Sequence, residues 1–178
     1  MFQLLTLRPE LGASPAQGAA ILDLIHTVWP PTAGEIAPMI EPILRSWKAE
    51  HSAHFVIEDQ NLVLAHSRLF RREVLTPQGP LAVGALAGVC VHPNYRGRRW
   101  GEAVVRAAFD FLPELGVSVS LFQTGVPRFY EKLGGRVISN RFFNGDSVEN
   151  PFWDSCEMIF PASFDWPEGP IDLNGPGY

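Results

Sequence analysis

Arg96, Arg98 and Arg99 share one short turn with Gly97 and Gly101, reading Arg96-Gly97-Arg98-Arg99-Trp100-Gly101. Before it runs a β-branched apolar stretch, Val89-Cys90-Val91, closed by His92-Pro93. After it runs a helix-forming stretch rich in Ala, Val and Phe, as far as Leu112. Strand, basic glycine turn, helix: this order aims unpaired backbone amides and the positive end of a helix dipole at one point, and a phosphate group is the fitting occupant. The other residues suited to chemistry lie elsewhere. Tyr130 carries a phenol, whose ordinary pKa is about 10. His66, with a pKa of about 6.5, is a candidate base. Cys90 sits in an apolar strand with no evident His partner, where a thiolate is disfavoured.

The elements that must hold these groups follow from periodicity and punctuation. Residues 2–7 read as a strand, and Ser14-Pro15 as a helix N-cap with Pro at the first helical position. Ala19, Ile21, Leu22, Ile25 and Val28 then form a helix face. A second helix is predicted over residues 36–50, after a loop carrying Glu35. Residues 54–58 and 62–73 form a hairpin around Asp59-Gln60-Asn61. Residues 81–91 form a long strand containing Gly84 and Gly88, where glycine marks a bulge or a close backbone approach. The helix after Gly97 is followed by a strand at 117–122, a short helix at 128–133, and strands at 136–139 and 155–160. Residues 141–153 are irregular and aromatic, and the tail from Trp166 to Tyr178 has no periodicity. The expectation is an α+β fold: a single mixed, mostly antiparallel sheet of about seven strands flanked by about four helices.

Composition bounds the function. The chain has 178 residues, 46% hydrophobic and 19% charged, as expected of one globular domain over 1–178. A net charge of −5 argues against nucleic acid as the partner. Cys90 and Cys156 read as buried thiols of a reducing compartment, and no metal-ligand spacing is present. No run approaches the ~18 apolar residues that cross a membrane. A cytoplasmic protein is expected.

The turn and a second segment together carry a resemblance. Arg96-Gly97-Arg98-Arg99-Trp100-Gly101 resembles the Arg/Gln-x-x-Gly-x-Gly/Ala motif of the GNAT superfamily of acyl-CoA-dependent N-acyltransferases, with Arg99 standing where the family usually has Gly. Pro127-Arg128-Phe129-Tyr130-Glu131-Lys132-Leu133-Gly134-Gly135 resembles that family's Phe-Tyr-Glu-Lys-x-Gly-Phe segment, with Gly135 replacing the usual aromatic. Ala65-His66, Arg71-Arg72 and the strand that follows are similar to aminoglycoside 2′-N-acetyltransferases and nodulation-factor N-acyltransferases, and the tail from Trp166 is similar to the end of the latter.

The resemblance implies a GNAT-like sheet with a V-shaped split between its two central strands. It implies acetyl-CoA, or another acyl-CoA, held by Val89, Cys90, Val91, Arg96, Gly97, Arg98, Arg99, Trp100, Gly101 and Glu102, with a bulge near Val89–Val91. It implies Tyr130 as the acid for the departing thiolate. The strand slot where relatives carry a Glu base is Ala87; the candidate base is His66, and Glu35, Asp154, Glu157, Asp172 and the terminal carboxylate of Tyr178 are other groups that could serve through water. Glu35, Trp153, Asp154 and Asp172 are the candidate acceptor-binding residues, with the tail 161–178 packed over the acceptor site. The expected activity is transfer of an acetyl or short acyl group to a primary amine of a small molecule by direct attack. The alternatives are a longer-chain amino-sugar N-acyltransferase and a non-catalytic acyl-CoA-binding sensor domain. A homodimer stays open.

Overall fold

The computed structural model describes residues 2–10, 12–31, 40–60, 62–147 and 149–178. They form two compact units, Met1–Phe70 with Ala87–Asp110, and Arg71–Leu86 with Phe111–Tyr178. Among the described residues, nine strands belong to one mixed sheet, and seven of them run in the order β1-β2-β3-β4-β5-β8-β6. This is the α+β architecture expected from the sequence. The strands β3 (Leu62–Thr76) and β4 (Gly79–Val91) contribute residues to both units.

In the first unit, β1 (Gln3–Leu7) and β2 (Ala53–Asp59) pair antiparallel, and β2 pairs antiparallel with β3. Helix α1 (Pro15–Val28) starts where the sequence places it. Ser14 Oγ accepts from Gln17 N at 3.3 Å and Gln17 Oε1 accepts from Ser14 N at 3.0 Å, a reciprocal cap. Its apolar stripe, Ile21 and Leu24, packs on Val56, Val63 and Cys90. Helix α2 (Ile40–Ala49) falls within the helix predicted over residues 36–50, the first positions of which lie outside the described residues. The Glu35 position lies outside the described residues. Helix α3 (Trp100–Asp110) buries Val104, Val105, Ala108 and Phe109, and its Val104 carbonyl accepts from the buried Ser67 Oγ at 2.8 Å.

In the second unit, β5 (Ser120–Thr124) pairs in parallel with β4 at Gly84–Ser120 and Ala85–Leu121, and antiparallel with β8 (Cys156–Phe160). Helix α4 (Pro127–Glu131) leads to β6 (Arg136–Ile138), which pairs with β8. The core gathers Val74, Val119, Leu121, Phe142, Phe152, Ile159, Trp166, Ile171 and Leu173.

Two segments without periodicity turn out ordered. Within 141–153, Phe142–Phe143 forms β7, and Ile171–Asp172 of the tail forms β9 beside it in parallel. Asp172 also pairs with Leu75 of β3. A two-residue strand is too short to show alternation, so only its partners define it. Side chains fasten the rest of the tail. The Asn140 amide donates to Pro167 O at 2.9 Å and Gly169 O at 2.8 Å, Trp166 Nε1 donates to Asn140 Oδ1 at 2.9 Å, and Arg136 Nε donates to Ala162 O at 2.8 Å.

Gly135, which stands where the resemblance leads one to expect an aromatic, is explained by close approach. A Cβ there would lie 3.1 Å from Ile159 O and 3.2 Å from Tyr130 O, both backbone atoms. Gly135→Val is expected to destabilise the protein by about 1–3 kcal/mol, the usual effect of overpacking. Urea denaturation checks this, and an unchanged midpoint would show that the α4–β6 corner relaxes freely.

Candidate functional site

The candidate residues fall into two groups, one in each unit. In the first unit, a single 3₁₀ turn, Pro93–Tyr95, leads from β4 into the basic turn, and α3 follows. Gly97 has φ +79° and Arg99 φ +62°. Arg99 therefore takes the left-handed conformation that a glycine at this position allows without strain. The departure from the family motif is in residue type, not in backbone shape, and an L-residue there costs about 1–2 kcal/mol. Among the described residues, no backbone carbonyl accepts from the amides of residues 97–102. These are the orphan donors of a helix start. A Cβ at Gly97 would meet no heavy atom within 4 Å, so the turn is open where its backbone is barest.

The side chains of the turn are held in place. Tyr95 and Trp100 stack at 5.6 Å with an interplanar angle of 17°, Phe2 packs on Trp100 at 4.8 Å, and the Arg98 guanidinium lies 5.5 Å from both the Tyr95 and Trp100 rings. Arg99 Nε and Arg106 Nε bind the two oxygens of Glu102, at 3.1 and 3.0 Å. The hydrogen bond from Arg106, with help from the Arg99 charge, holds the Glu102 carboxyl below its usual range. Glu102 is thus a charge-compensated carboxylate, and what it has to offer an anion is its backbone amide. Open amides, a bare Gly97 and the arginines of the turn fit a phosphate group.

Cys90 is buried, and burial pushes its thiol up to about 12 against the pull of Arg96. A nucleophilic thiolate is disfavoured there. His66 is also buried, with both ring nitrogens engaged. Nδ1 lies 2.8 Å from Gly88 O, and Nε2 lies 3.0 Å from His54 Nδ1. Burial, together with the Arg68 charge, lowers its pKa. Its lone pair is turned to His54 and is not offered to an incoming amine. His54 escapes a motif search, yet its position was legible. In the β2–β3 register Val56 faces His66. His54 lies two residues from Val56 on the same face, so the two histidines are diagonal neighbours.

In the second unit, Tyr130 of α4 is buried between Phe122 at 4.6 Å and Phe129 at 4.8 Å. Burial raises its phenol pKa, and the Asp154 charge adds to the rise, so the ordinary value expected from the sequence does not apply. Gln123 organises the surrounding loops: its Oε1 accepts from the amides of Trp153 at 2.8 Å and Asp154 at 2.7 Å, while its Nε2 donates to Tyr178 O at 2.8 Å. Gln123 lies in a buried-strand pattern, and no spacing singles it out. Trp153 is 72% exposed and Asp154 is exposed beside it.

Tyr178 and Asp172 have structural partners. The Tyr178 hydroxyl donates to Leu121 O at 3.2 Å, its ring meets Phe152 edge-on at 5.3 Å, and Arg72 lies 4.9 Å from its face. Burial raises this phenol as well. Asp172 Oδ1 accepts from Gly145 N at 3.1 Å and Asn174 N at 2.8 Å, a turn-closing role. A cleft of about 850 Å³ lies along residues 136–141 and 166–170. Arg136 and Asn140 on its wall are bound to tail carbonyls, so it is a structural seam.

A family model described as an acetyltransferase (GNAT) domain matches residues 15–138. No curated protein matches the chain. Solved structures match in fold. A GNAT family N-acetyltransferase from Escherichia coli, in complex with CoA, is 15% identical with a TM-score of 0.68, covering 98% of this chain and 91% of that one. A GNAT family acetyltransferase from Brucella melitensis, in complex with acetyl-CoA, is 16% identical with a TM-score of 0.64, covering 97% of each chain. An acetyltransferase from Trypanosoma brucei is 21% identical with a TM-score of 0.62, covering 78% of this chain and 95% of that one. With the family model spanning well over half of its length, this chain belongs to the acetyltransferase (GNAT) domain family, enzymes that move an acetyl group from acetyl-CoA to an amine.

Proposed function

We propose that this chain transfers the acetyl group of acetyl-CoA to the primary amine of a small molecule, by direct attack and without an acyl-enzyme. The observation that carries the reading is the Arg96–Glu102 turn, with left-handed Gly97 and Arg99 and a row of amides open to an anion. When bound, acetyl-CoA supplies the acetyl group as an activated thioester. The amides of residues 97–102 and the arginines of the turn hold its pyrophosphate, and the end of β4, Val89–Val91, lines the arm. Cys90 stays a neutral thiol. The amine loses one proton to solvent before it attacks; Tyr130 gives its phenolic proton to the departing sulfur, and the proton lost from the acylated nitrogen returns through solvent to the phenolate. Asp154, whose charge already acts on Tyr130, draws in the cationic amine, with Trp153 as an exposed aromatic wall. The tail 161–178 completes the acceptor side. The acceptor class follows the resemblance to aminoglycoside-type enzymes.

The test is release of free CoA thiol from acetyl-CoA across a panel of amines, with mass spectrometry of the products. Release that requires an amine, with one acetyl gained per thiol, is the expected result. Tight acetyl-CoA binding without thiol release from any amine would reduce the chain to a binding domain. A trapped acetyl group on Cys90 would replace direct attack by a covalent route.

Gly97→Val probes the turn. A β-branched residue is strained at φ +79° and fills the open space at the backbone. Acetyl-CoA affinity, measured by calorimetry, is expected to fall about tenfold or more, equivalent to at least ~1.4 kcal/mol. Unchanged affinity would move the phosphate site off this turn.

A further inference from the structure

Gly88 lies inside β4 with φ +58°. A strand carbonyl ordinarily lies in the plane of the sheet, directed at a neighbouring strand. The Gly88 carbonyl instead meets a side-chain nitrogen, His66 Nδ1, at 2.8 Å, and side chains stand roughly perpendicular to the sheet. The Gly88–Val89 peptide is thus rotated out of the ladder, as in a bulge with a left-handed glycine. A trans peptide is planar, so its N–H points opposite to its carbonyl. Whatever holds the Gly88 carbonyl therefore also aims the Val89 amide.

The holder is a chain of hydrogen bonds with a fixed direction. Gly88 O can only accept, so His66 Nδ1 carries a proton and donates. In the neutral ring His66 Nε2 is then an acceptor, so the proton between the rings, 3.0 Å apart, sits on His54 Nδ1. His54 Nε2 is left as the buried lone pair without a partner among the described residues. Both histidines are about 1% exposed, and Trp47 packs on His54 at 4.4 Å between ring centroids. A Cβ at Gly88 would lie 3.3 Å from His66 Cε1, so imidazole and bulge are in close contact.

We propose that His66, backed by His54, is a positioning residue for acetyl transfer: the pair fixes the rotated Gly88–Val89 peptide and so sets the direction of the Val89 amide. The inference rests on the acetyltransferase reading and assigns His66 a place in it other than that of base. No proton leaves the pair during turnover. The unpartnered His54 nitrogen is the cost of directing both donors toward Gly88.

Three measurements decide it. Imidazole ¹⁵N spectra at pH 7 are expected to show His66 and His54 neutral and protonated at Nδ1; an Nε2-protonated or cationic His66 would overturn the proposal. His66→Phe keeps the shape and removes the donor, and kcat is expected to fall about 100-fold, the scale of a misaimed group. His66→Gln keeps a donor and an acceptor and is expected to restore kcat to within about fivefold of the parent. Should the Phe variant not fold, His66→Asn, too short to reach both partners, takes its place. Hydrogen exchange of residues 86–92 is expected to rise in the Phe variant, to stay slow in the Gln variant, and to be unchanged at residues 111–178. If Gln restores slow exchange but removes the rising limb of the pH–rate curve, His66 is a base and the proposal fails. If the parent protein releases no thiol with any amine, the acetyl-transfer reading fails, while spectra and exchange still decide the role of the pair.

Discussion

Tyr130→Phe is expected to lower kcat about 100-fold while leaving the Kd for acetyl-CoA within about twofold, because a proton donor acts in the transition state and not in the bound ground state. Tyr130 is buried among Phe122 and Phe129, and Phe fills the same volume, so the fold is not at risk. Burial and the Asp154 charge keep the phenol protonated well above the ordinary range. Desolvation raises the basicity of a leaving thiolate for the same reason, so free-solution values of phenol and thiol do not set the transfer. Asp154→Asn should raise the KM for the amine and spare the Kd for acetyl-CoA. Steady-state kinetics with calorimetry decide both. A Phe variant with parental kcat would remove the acid role, and a parallel loss of acetyl-CoA affinity would make Tyr130 a packing residue of the cofactor slot.

Acid is expected to destabilise the fold through His54 and His66. Burial lowers both pKa values, and the Arg68 charge lowers both further. In the unfolded chain each imidazole takes up its proton near pH 6.5, and in the folded protein only well below that. Between these limits the unfolded state binds more protons, so stability rises with pH through the window and levels off above it. Each histidine contributes up to about 1.4 kcal/mol per pH unit below ~6.5. Thermal melts at pH 7.5, 6.5, 5.5 and 4.5 should show a falling Tm in the parent. The double variant His54→Gln, His66→Gln should start lower at pH 7.5 and close the gap as pH falls, since its amides do not titrate. Curves that stay parallel over this range would show that the pair is not neutral in the fold.

Much of this was legible one segment at a time. The Ser14 cap, the β2–β3 hairpin, the basic turn before α3 and the short helix bearing Tyr130 all depend on neighbours within a few positions, where capping, turn chemistry and periodicity act. The acetyltransferase assignment rested on such local signals, since both motifs are contiguous. The Arg99 position shows the limit of that reading. Its residue type is a departure, but its backbone does what the motif requires, and only the observed φ reveals it.

Tertiary structure decided the rest. β7 and β9 exist because Phe142 and Ile171 find each other across the chain, and no pattern of two residues announces that. The tail is ordered because Arg136, Asn140 and Gln123, distant in sequence, receive its carbonyls. The roles of polar residues changed most. His66, Asp172 and Tyr178 have the right types for chemistry, and the fold gives each a structural partner. Residue type sets what a side chain is able to do, and its hydrogen bonds set which of those things it is free to do. By itself the sequence determined the class of the fold and the basic glycine turn before α3, because both are written in local spacing. Which lone pairs and protons remain available was decided only by packing, because that depends on what stands 3 Å away and not on what stands next in the chain.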